Sequence, residues 1–188
     1  MEQPKATALS QASQIFGDDS MSFLELVAED WRTHDSDWTK PGFKALVVYR
    51  FGVWRMTLRR TPLRGVLGYV YRFMFRRACW RYGVEIYDSA RLGRRIKFEH
   101  PSGIVIHGDS IIGDDVVIRQ QVTLGIRTLD RLHDAPVIGN RVDIGAGAKI
   151  LGRVIVGEGA MIGANAVVLD DVPSGAIAVG VPARIIER

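Results

Sequence analysis

Every sixth residue is apolar over most of the second half of this 188-residue chain. The series runs through Ile86, Leu92 and Phe98, then Ile106, Ile112, Ile118 and Leu124, and finally Ile138, Ile144, Ile150, Val156, Ile162 and Val168. Glycine follows such positions at Gly93, Gly113, Gly125, Gly139, Gly145, Gly157 and Gly163. A helix cannot keep these positions on one face, because six residues turn it about 240° past its starting direction. A short strand with a turn at each sixth residue can. Three such sides close a triangular coil, with the apolar positions stacked inside and each strand paired in parallel with the coil below. Glycine at a corner accommodates backbone angles that other residues resist. The series breaks twice, after Phe98 and after Leu124, and each break inserts a segment carrying a histidine, His100 or His133. Interruptions of so regular a repeat are where chemistry is expected.

The first half follows different rules. Ser22 followed by Glu25 is a capping-box pattern, and Phe23, Leu24 and Val27 begin an apolar stripe, which predicts a helix from about Phe23 to Arg32. Pro41 and Gly42 punctuate the chain before a second helix from about Phe43 to Arg59. Thr61 and Pro62 form a cap and a first-turn proline, opening a third helix that ends near Gly83. The expected organisation is a disordered leader over 1–20, an α-helical cap over 21–83 and a β-helix domain over 84–188. Tyr49, Trp54, Tyr69, Tyr71, Phe73, Phe75 and Trp80 load the helices with rings, expected as core or subunit contacts with a minority of interfacial anchors.

Composition narrows the setting. No stretch approaches the roughly 18–20 uncharged apolar residues of a membrane span. The polar N-terminus lacks the basic-then-apolar pattern of a signal peptide. Cys79 is the only cysteine, so neither a disulfide nor a thiolate metal cluster is available within one chain, and a cytoplasmic address is expected. The net charge of +4 is unevenly spread: between Asp37 and Glu85 there is no acid, against Lys40, Lys44 and nine arginines. Such an excess suits an acidic membrane surface, a phosphorylated ligand or a nucleic acid. It equally suits the solvated face of two packed helices.

From about Val84 to Ile186 the pattern resembles the hexapeptide-repeat acyltransferases. The resemblance implies a mainly β fold, a left-handed parallel β-helix with an N-terminal α-helical cap, assembled as a homotrimer with active sites between subunits. Three stretches are similar to serine acetyltransferases: GIVIHGDSIIGDDVVIRQQVTLG (Gly103 to Gly125), IGAGAKILG (Ile144 to Gly152) and GVPARII (Gly180 to Ile186). The chemistry implied is direct transfer of acetyl from acetyl-CoA to a hydroxyl. A histidine acts as base, oriented by an acid fifteen positions earlier. His100 and Glu85 hold those places. An imidazole titrates near working pH and accepts the proton of an attacking alcohol. A carboxylate on its other nitrogen fixes the tautomer and stabilises the imidazolium.

The same resemblance assigns the rest of the site. Glu99 stands where the family has an acceptor-binding aspartate, and Asp35, in WRTHDSDW, matches a second one. The family's second histidine and the arginine before it fall on Ala135 and Asp134, with His133 two residues early and Arg127 or Arg131 as replacements for the arginine. Gly125, Ala146 and Ala164 are the small residues expected to admit the pantetheine arm of acetyl-CoA, with Arg184 as a partner for a CoA phosphate. Ile126 and Arg127 replace a glycine and a threonine of the family pattern.

These departures, a short cap and a chain ending just after GVPARII resemble the enzymes that acetylate sugars in capsule or exopolysaccharide synthesis. The run GRRIKFEH (Gly93 to His100), preceded by basic aromatic helices, is similar to the colanic-acid type. The expected acceptor is therefore a sugar hydroxyl, with L-serine as the alternative. A cationic cap would also suit work at the inner face of a membrane. Two rival classes remain open. One is a metal enzyme recruiting His100, His107 and His133, although no pair has ligand spacing and no metal is expected. The other is a scaffold without catalysis, against which the Glu85–His100 interval argues. No nucleic-acid partner is expected.

Overall fold

A computed structural model describes residues 21–186, so the expected leader over 1–20 lies outside the described residues. Three helices come first: α1 (Phe23–Thr33), α2 (Pro41–Thr57) and α3 (Pro62–Tyr82). The capping box forms, with the Glu25 carboxylate accepting the Ser22 backbone N–H at 2.7 Å and the Ser22 hydroxyl accepting the Glu25 N–H at 3.4 Å. α2 starts two residues before its predicted Phe43, because Pro41 is tolerated in a first turn where its missing N–H has no intrahelical partner. α3 is capped by Thr61 and closes on Gly83, whose φ of 63° is the left-handed angle that glycine adopts without penalty.

Strands follow, three to a coil. They are β1 (Val84–Ile86), β2 (Arg91–Leu92), β3 (Lys97–Phe98), β4 (Ile104–Ile106), β5 (Ile111–Ile112), β6 (Val117–Ile118), β7 (Thr123–Gly125), β8 (Val137–Ile138), β9 (Asp143–Ile144), β10 (Lys149–Leu151), β11 (Ile155–Val156), β12 (Met161–Ile162), β13 (Val167–Val168), β14 (Ile177–Val179) and β15 (Arg184–Ile186). Side A stacks β1-β4-β7-β10-β13, side B stacks β2-β5-β8-β11, and side C stacks β3-β6-β9-β12-β14. All these pairs are parallel, and β15 folds back antiparallel on β14. The molecule is thus a three-sided parallel β-helix. Ile106, Ile112, Ile118, Leu124, Ile138, Ile144, Ile150 and Val156 are all 0% exposed, so the six-residue ladder is the core. Coils approach closely at the corners: a Cβ on Gly145 would lie 2.6 Å from the Ala164 nitrogen, and one on Gly157 would lie 2.4 Å from that of Ser174.

The two breaks appear as two lengthened coils. Val84 pairs with Ile104, and Thr123 pairs with Lys149, whereas Val105 with Thr123 and Lys149 with Val167 keep the regular coil. The first excess sits at the edge where side C turns into side A and carries His100. The second sits where side A turns into side B and carries His133.

The cap docks on the first coil. Ala45, Leu46 and Tyr49 of α2 join the same buried cluster as the ladder. Tyr49 donates its hydroxyl to the Ala90 carbonyl at 2.9 Å and accepts the Leu92 N–H at 3.0 Å. Arg50 is 6% exposed, pairs with Asp30 at 2.9 Å, and donates to the carbonyls of Leu92 (3.1 Å) and Gly93 (2.6 Å). The rings divide by position: Tyr49 and Tyr71 are buried, whereas Tyr69, Phe73 and Trp80 stand exposed on α3. Among the described residues no helix is long and apolar enough to cross a membrane.

Candidate active site

Backbone hydrogen bonds define one edge of the prism. The Gln121 N–H donates to Ser102 at 2.7 Å, Gly147 to Gln120 at 2.8 Å, and Asn165 to Ala146 at 2.8 Å. The turn holding His100, the pair Gln120–Gln121, then Ala146 and Ala164 therefore stack along the edge between sides C and A. His100 is exposed, with a φ of 50°, an angle shared by the corner residues Gln121 (59°) and Asn165 (56°). Its left-handed backbone is the geometry of the corner. The proposed base and two of the proposed donor-binding residues thus share one edge.

Glu85 lies on side A, in β1, between the inward-facing Val84 and Ile86. Its carboxylate accepts the Tyr87 hydroxyl at 2.6 Å, and no hydrogen bond joins it to His100 among the described residues. That bond holds the Tyr87 phenol above the usual tyrosine range. Catalytic hydrogen bonds commonly tighten only when substrate is bound.

Glu99 and Asp35 are brought together, and Lys97 lies between them. Lys97 Nζ lies 3.8 Å from Asp35 and 3.4 Å from Glu99, and Arg119 Nε lies 3.7 Å from Glu99. Arg119 also forks onto Asp143, and Lys40 pairs with Asp35. The Lys40 ammonium holds the Asp35 carboxyl below the usual carboxylate range. Strand alternation explains the cluster: Phe98 and Ile118 point inward, so Lys97, Glu99 and Arg119 point out on neighbouring coils. Asp35 and Lys40 come from the turn between α1 and α2, which His34 pins down. His34 is buried; its Nε2 accepts the Phe98 N–H at 3.2 Å, so Nδ1 carries the proton that reaches the Asp30 carbonyl at 2.8 Å. Burial pushes its imidazole below the usual histidine range.

The remaining candidates lie elsewhere. His133 is on the second loop, its Nδ1 2.8 Å from Asp109, with an 81% exposed side chain. Arg131 pairs loosely with Asp134 at 3.8 Å, and Arg127 stacks beside Gly152. Gly125 accepts the Gly152 N–H at 2.8 Å at the foot of that loop. These four belong to the edge between sides A and B, so within one chain a whole side separates them from His100. Arg184 is exposed in β15. No group of three potential metal ligands occurs among the described residues. Lys97, Arg119, Tyr87 and His34 had no place in the sequence-derived site. Alternation about Phe98 and Ile118 was available to find the first two.

Comparison with known proteins now sets the class. Residues 135–170 match the family model described as bacterial transferase hexapeptide (six repeats), which together with the coil defines a hexapeptide-repeat transferase. A serine acetyltransferase of Synechococcus elongatus is 41% identical over 148 residues, 79% of this chain and 58% of the relative. One from Helicobacter pylori is 40% identical over 148 residues, 79% of this chain and 82% of the relative. Soybean serine acetyltransferase, solved complexed with serine, superposes with a TM-score of 0.74 at 34% identity, covering 95% of this chain and 73% of that one. The Brucella abortus enzyme, solved in complex with coenzyme A, gives a TM-score of 0.76 at 29% identity, covering 96% and 74%. The chain belongs to the serine acetyltransferase family. It spans 58% of the Synechococcus relative and 51% of the Escherichia coli one.

The expected sugar acceptor is overturned by these relatives, which carry the name serine acetyltransferase. The resemblance to colanic-acid-type enzymes in exopolysaccharide synthesis goes with it. The physical reason is that Glu99 lengthens the expected aspartate by one methylene without removing its charge. The groups around it are paired charges, Lys97 at 3.4 Å and Arg119 at 3.7 Å.

Proposed function

We propose that this chain is an acetyl-CoA-dependent serine O-acetyltransferase that works as a homotrimer. The observation that carries the reading is the shared edge, which lines up His100 with Ala146 and Ala164 and sets the Glu99 cluster one residue from the base. The solved relatives bound to serine and to coenzyme A support it.

In this reading His100 takes the proton of the serine hydroxyl as its oxygen attacks the thioester carbonyl. The C–O bond forms, the tetrahedral oxyanion collapses, and the C–S bond breaks. The CoA sulfur leaves as a thiolate and takes the proton back from the imidazolium. Glu85 turns from Tyr87 to the far nitrogen of His100 and stabilises the imidazolium. The pantetheine arm lies against Ala146 and Ala164, with Gly125 contributed from the other edge and Arg184 meeting a CoA phosphate. A trimer gives His133, Arg127 and Arg131 a route to the base of a neighbouring subunit, which a single chain denies them.

The test is CoA release from acetyl-CoA with L-serine beside free sugars and nucleotide sugars. Turnover with L-serine is expected, and a wild-type protein active only on a saccharide would end the reading. His100→Ala is expected to lower kcat about 10³-fold, within the range of general-base catalysis, with unchanged thermal stability. Activity equal to wild type in that variant would remove the mechanism.

A further inference from the structure

We propose that the outward face of α3 is a docking surface for an anionic phospholipid bilayer, a property independent of the acceptor that is acetylated. α3 is apolar on two sides. One side holds Tyr71 and Ala78, buried where the helix packs on α2 and β1. At about 100° per residue, Val66, Tyr69, Phe73 and Trp80 fall within about 60° of one another on the opposite side, with Leu63 and Val70 beside them. Tyr69, Phe73 and Trp80 are 71%, 69% and 86% exposed, so nothing among the described residues covers this second side. A contiguous apolar band left in water marks a surface that meets a partner.

Charge names the partner. By the same rotation Arg72 and Arg76 flank the band on one side and Arg77 and Arg81 on the other, and all four are exposed. No acid lies between Asp37 and Glu85. Asp88, beside Tyr71, is taken by Arg55 at 2.5 Å. A second copy laid on this face would set the four arginines against their own equivalents, with no acid of α2 or α3 to offset them. A nucleic acid would satisfy the arginines and leave Leu63, Val66 and Val70 without an apolar partner. An anionic bilayer satisfies both sets: rings and aliphatic groups enter the boundary between headgroups and acyl chains, and the flanking guanidinium groups reach the phosphates. Arg72 already lies over the Tyr69 ring at 4.4 Å, so this cation and its neighbouring ring enter such a boundary together. Around the start of α3 a basin of about 800 Å³, lined by Arg55, Arg60, Arg64 and Arg72, continues the positive surface.

The test mixes the full chain with vesicles of phosphatidylcholine alone or blended with phosphatidylglycerol, and separates bound from free protein by flotation. Binding to the blended vesicles is expected to be at least about 100-fold tighter, each arginine near such a surface contributing about fivefold. High salt should weaken it. Changing Arg72, Arg76, Arg77 and Arg81 together to Gln should abolish the preference, whereas changing all four to Lys should keep it. Phe73→Ser with Trp80→Ser should weaken binding about tenfold or more. Tryptophan emission should shift to the blue on blended vesicles, and that shift should be lost in Trp80→Phe. Melting temperatures of all these variants should match wild type, because every substituted side chain is exposed. No binding, equal binding to the two kinds of vesicle, or undiminished binding by the glutamine variant overturns the inference. A Phe73→Ser, Trp80→Ser variant that sediments as a smaller species yet binds vesicles like wild type overturns it too, giving the face to a second copy. Tighter retention of single-stranded RNA than of vesicles would give the face to nucleic acid instead.

Discussion

In the coil, the ladder residues from Ile106 to Val156 are fully buried, each packed on its equivalents above and below. In the cap, α2 sends Tyr49 and Arg50 into contact with the first coil, and the deepest contacts are polar: Asp30 is 0% exposed and Arg50 6%. The coil is held by many interchangeable apolar steps. The cap is held by a few groups that must all be present, because a buried charge without its partner is costly. The difference teaches where tolerance lies. A repeated core spreads a small defect over neighbouring rungs, whereas a charged lock concentrates it at one point.

Four measurements would break or sharpen that contrast. Asp30→Ala strands the Arg50 guanidinium in the interior and should cost about 3–5 kcal/mol in denaturant unfolding; a cost near zero would mean the cap does not depend on the pair. Ile150→Val removes one methylene from a rung and should cost only about 1 kcal/mol; a loss as large as that of Asp30→Ala would erase the distinction. The third uses pH. Burial lowers the His34 pKa, so its neutral form stabilises the fold in full above the unfolded value of about 6.5. That contribution is lost as pH falls below it towards the folded pKa. Melting temperature should therefore drop more steeply between pH 7 and pH 5 in wild type than in His34→Gln. Parallel curves would assign the acid sensitivity elsewhere. The smallest effect is expected at Phe73, 69% exposed on α3, where Phe73→Ser should change stability by less than about 0.5 kcal/mol. A larger loss, accompanied by a change in sedimentation, would place that face in a subunit contact.

The coil was legible because its signal is periodic: each inward residue predicts the next, and the two breaks fall where the residue count says. The helices were legible at their ends, through Ser22 with Glu25 and through Thr61 with Pro62. The lock was not. Arg50 and His34 meet the backbone of residues 92, 93 and 98 across more than forty positions, Asp30 meets Arg50 across twenty, and nothing local announces a charge that will be buried. The site was half legible. The interval set Glu85 fifteen residues before His100, yet the hydroxyl that holds Glu85, on Tyr87, stands just past the strand where no motif points to it. The outward neighbours of Phe98 and Ile118 bring Lys97 and Arg119 to Glu99, and strand alternation alone was enough to place them there.

The contacts of α1 and α2 with the first coil also have a consequence for assembly. β1, β2 and β3 are the outermost strands of their sheets at that end, so no further strand of this chain pairs with their outer edges among the described residues. Tyr49, Arg50 and His34 occupy the groups of Ala90, Leu92, Gly93 and Phe98 that the next coil of a longer solenoid would claim. Without them one molecule could extend the stack of another, rung upon rung, into a fibre. The three side chains therefore also serve as a stopper against end-to-end polymerisation.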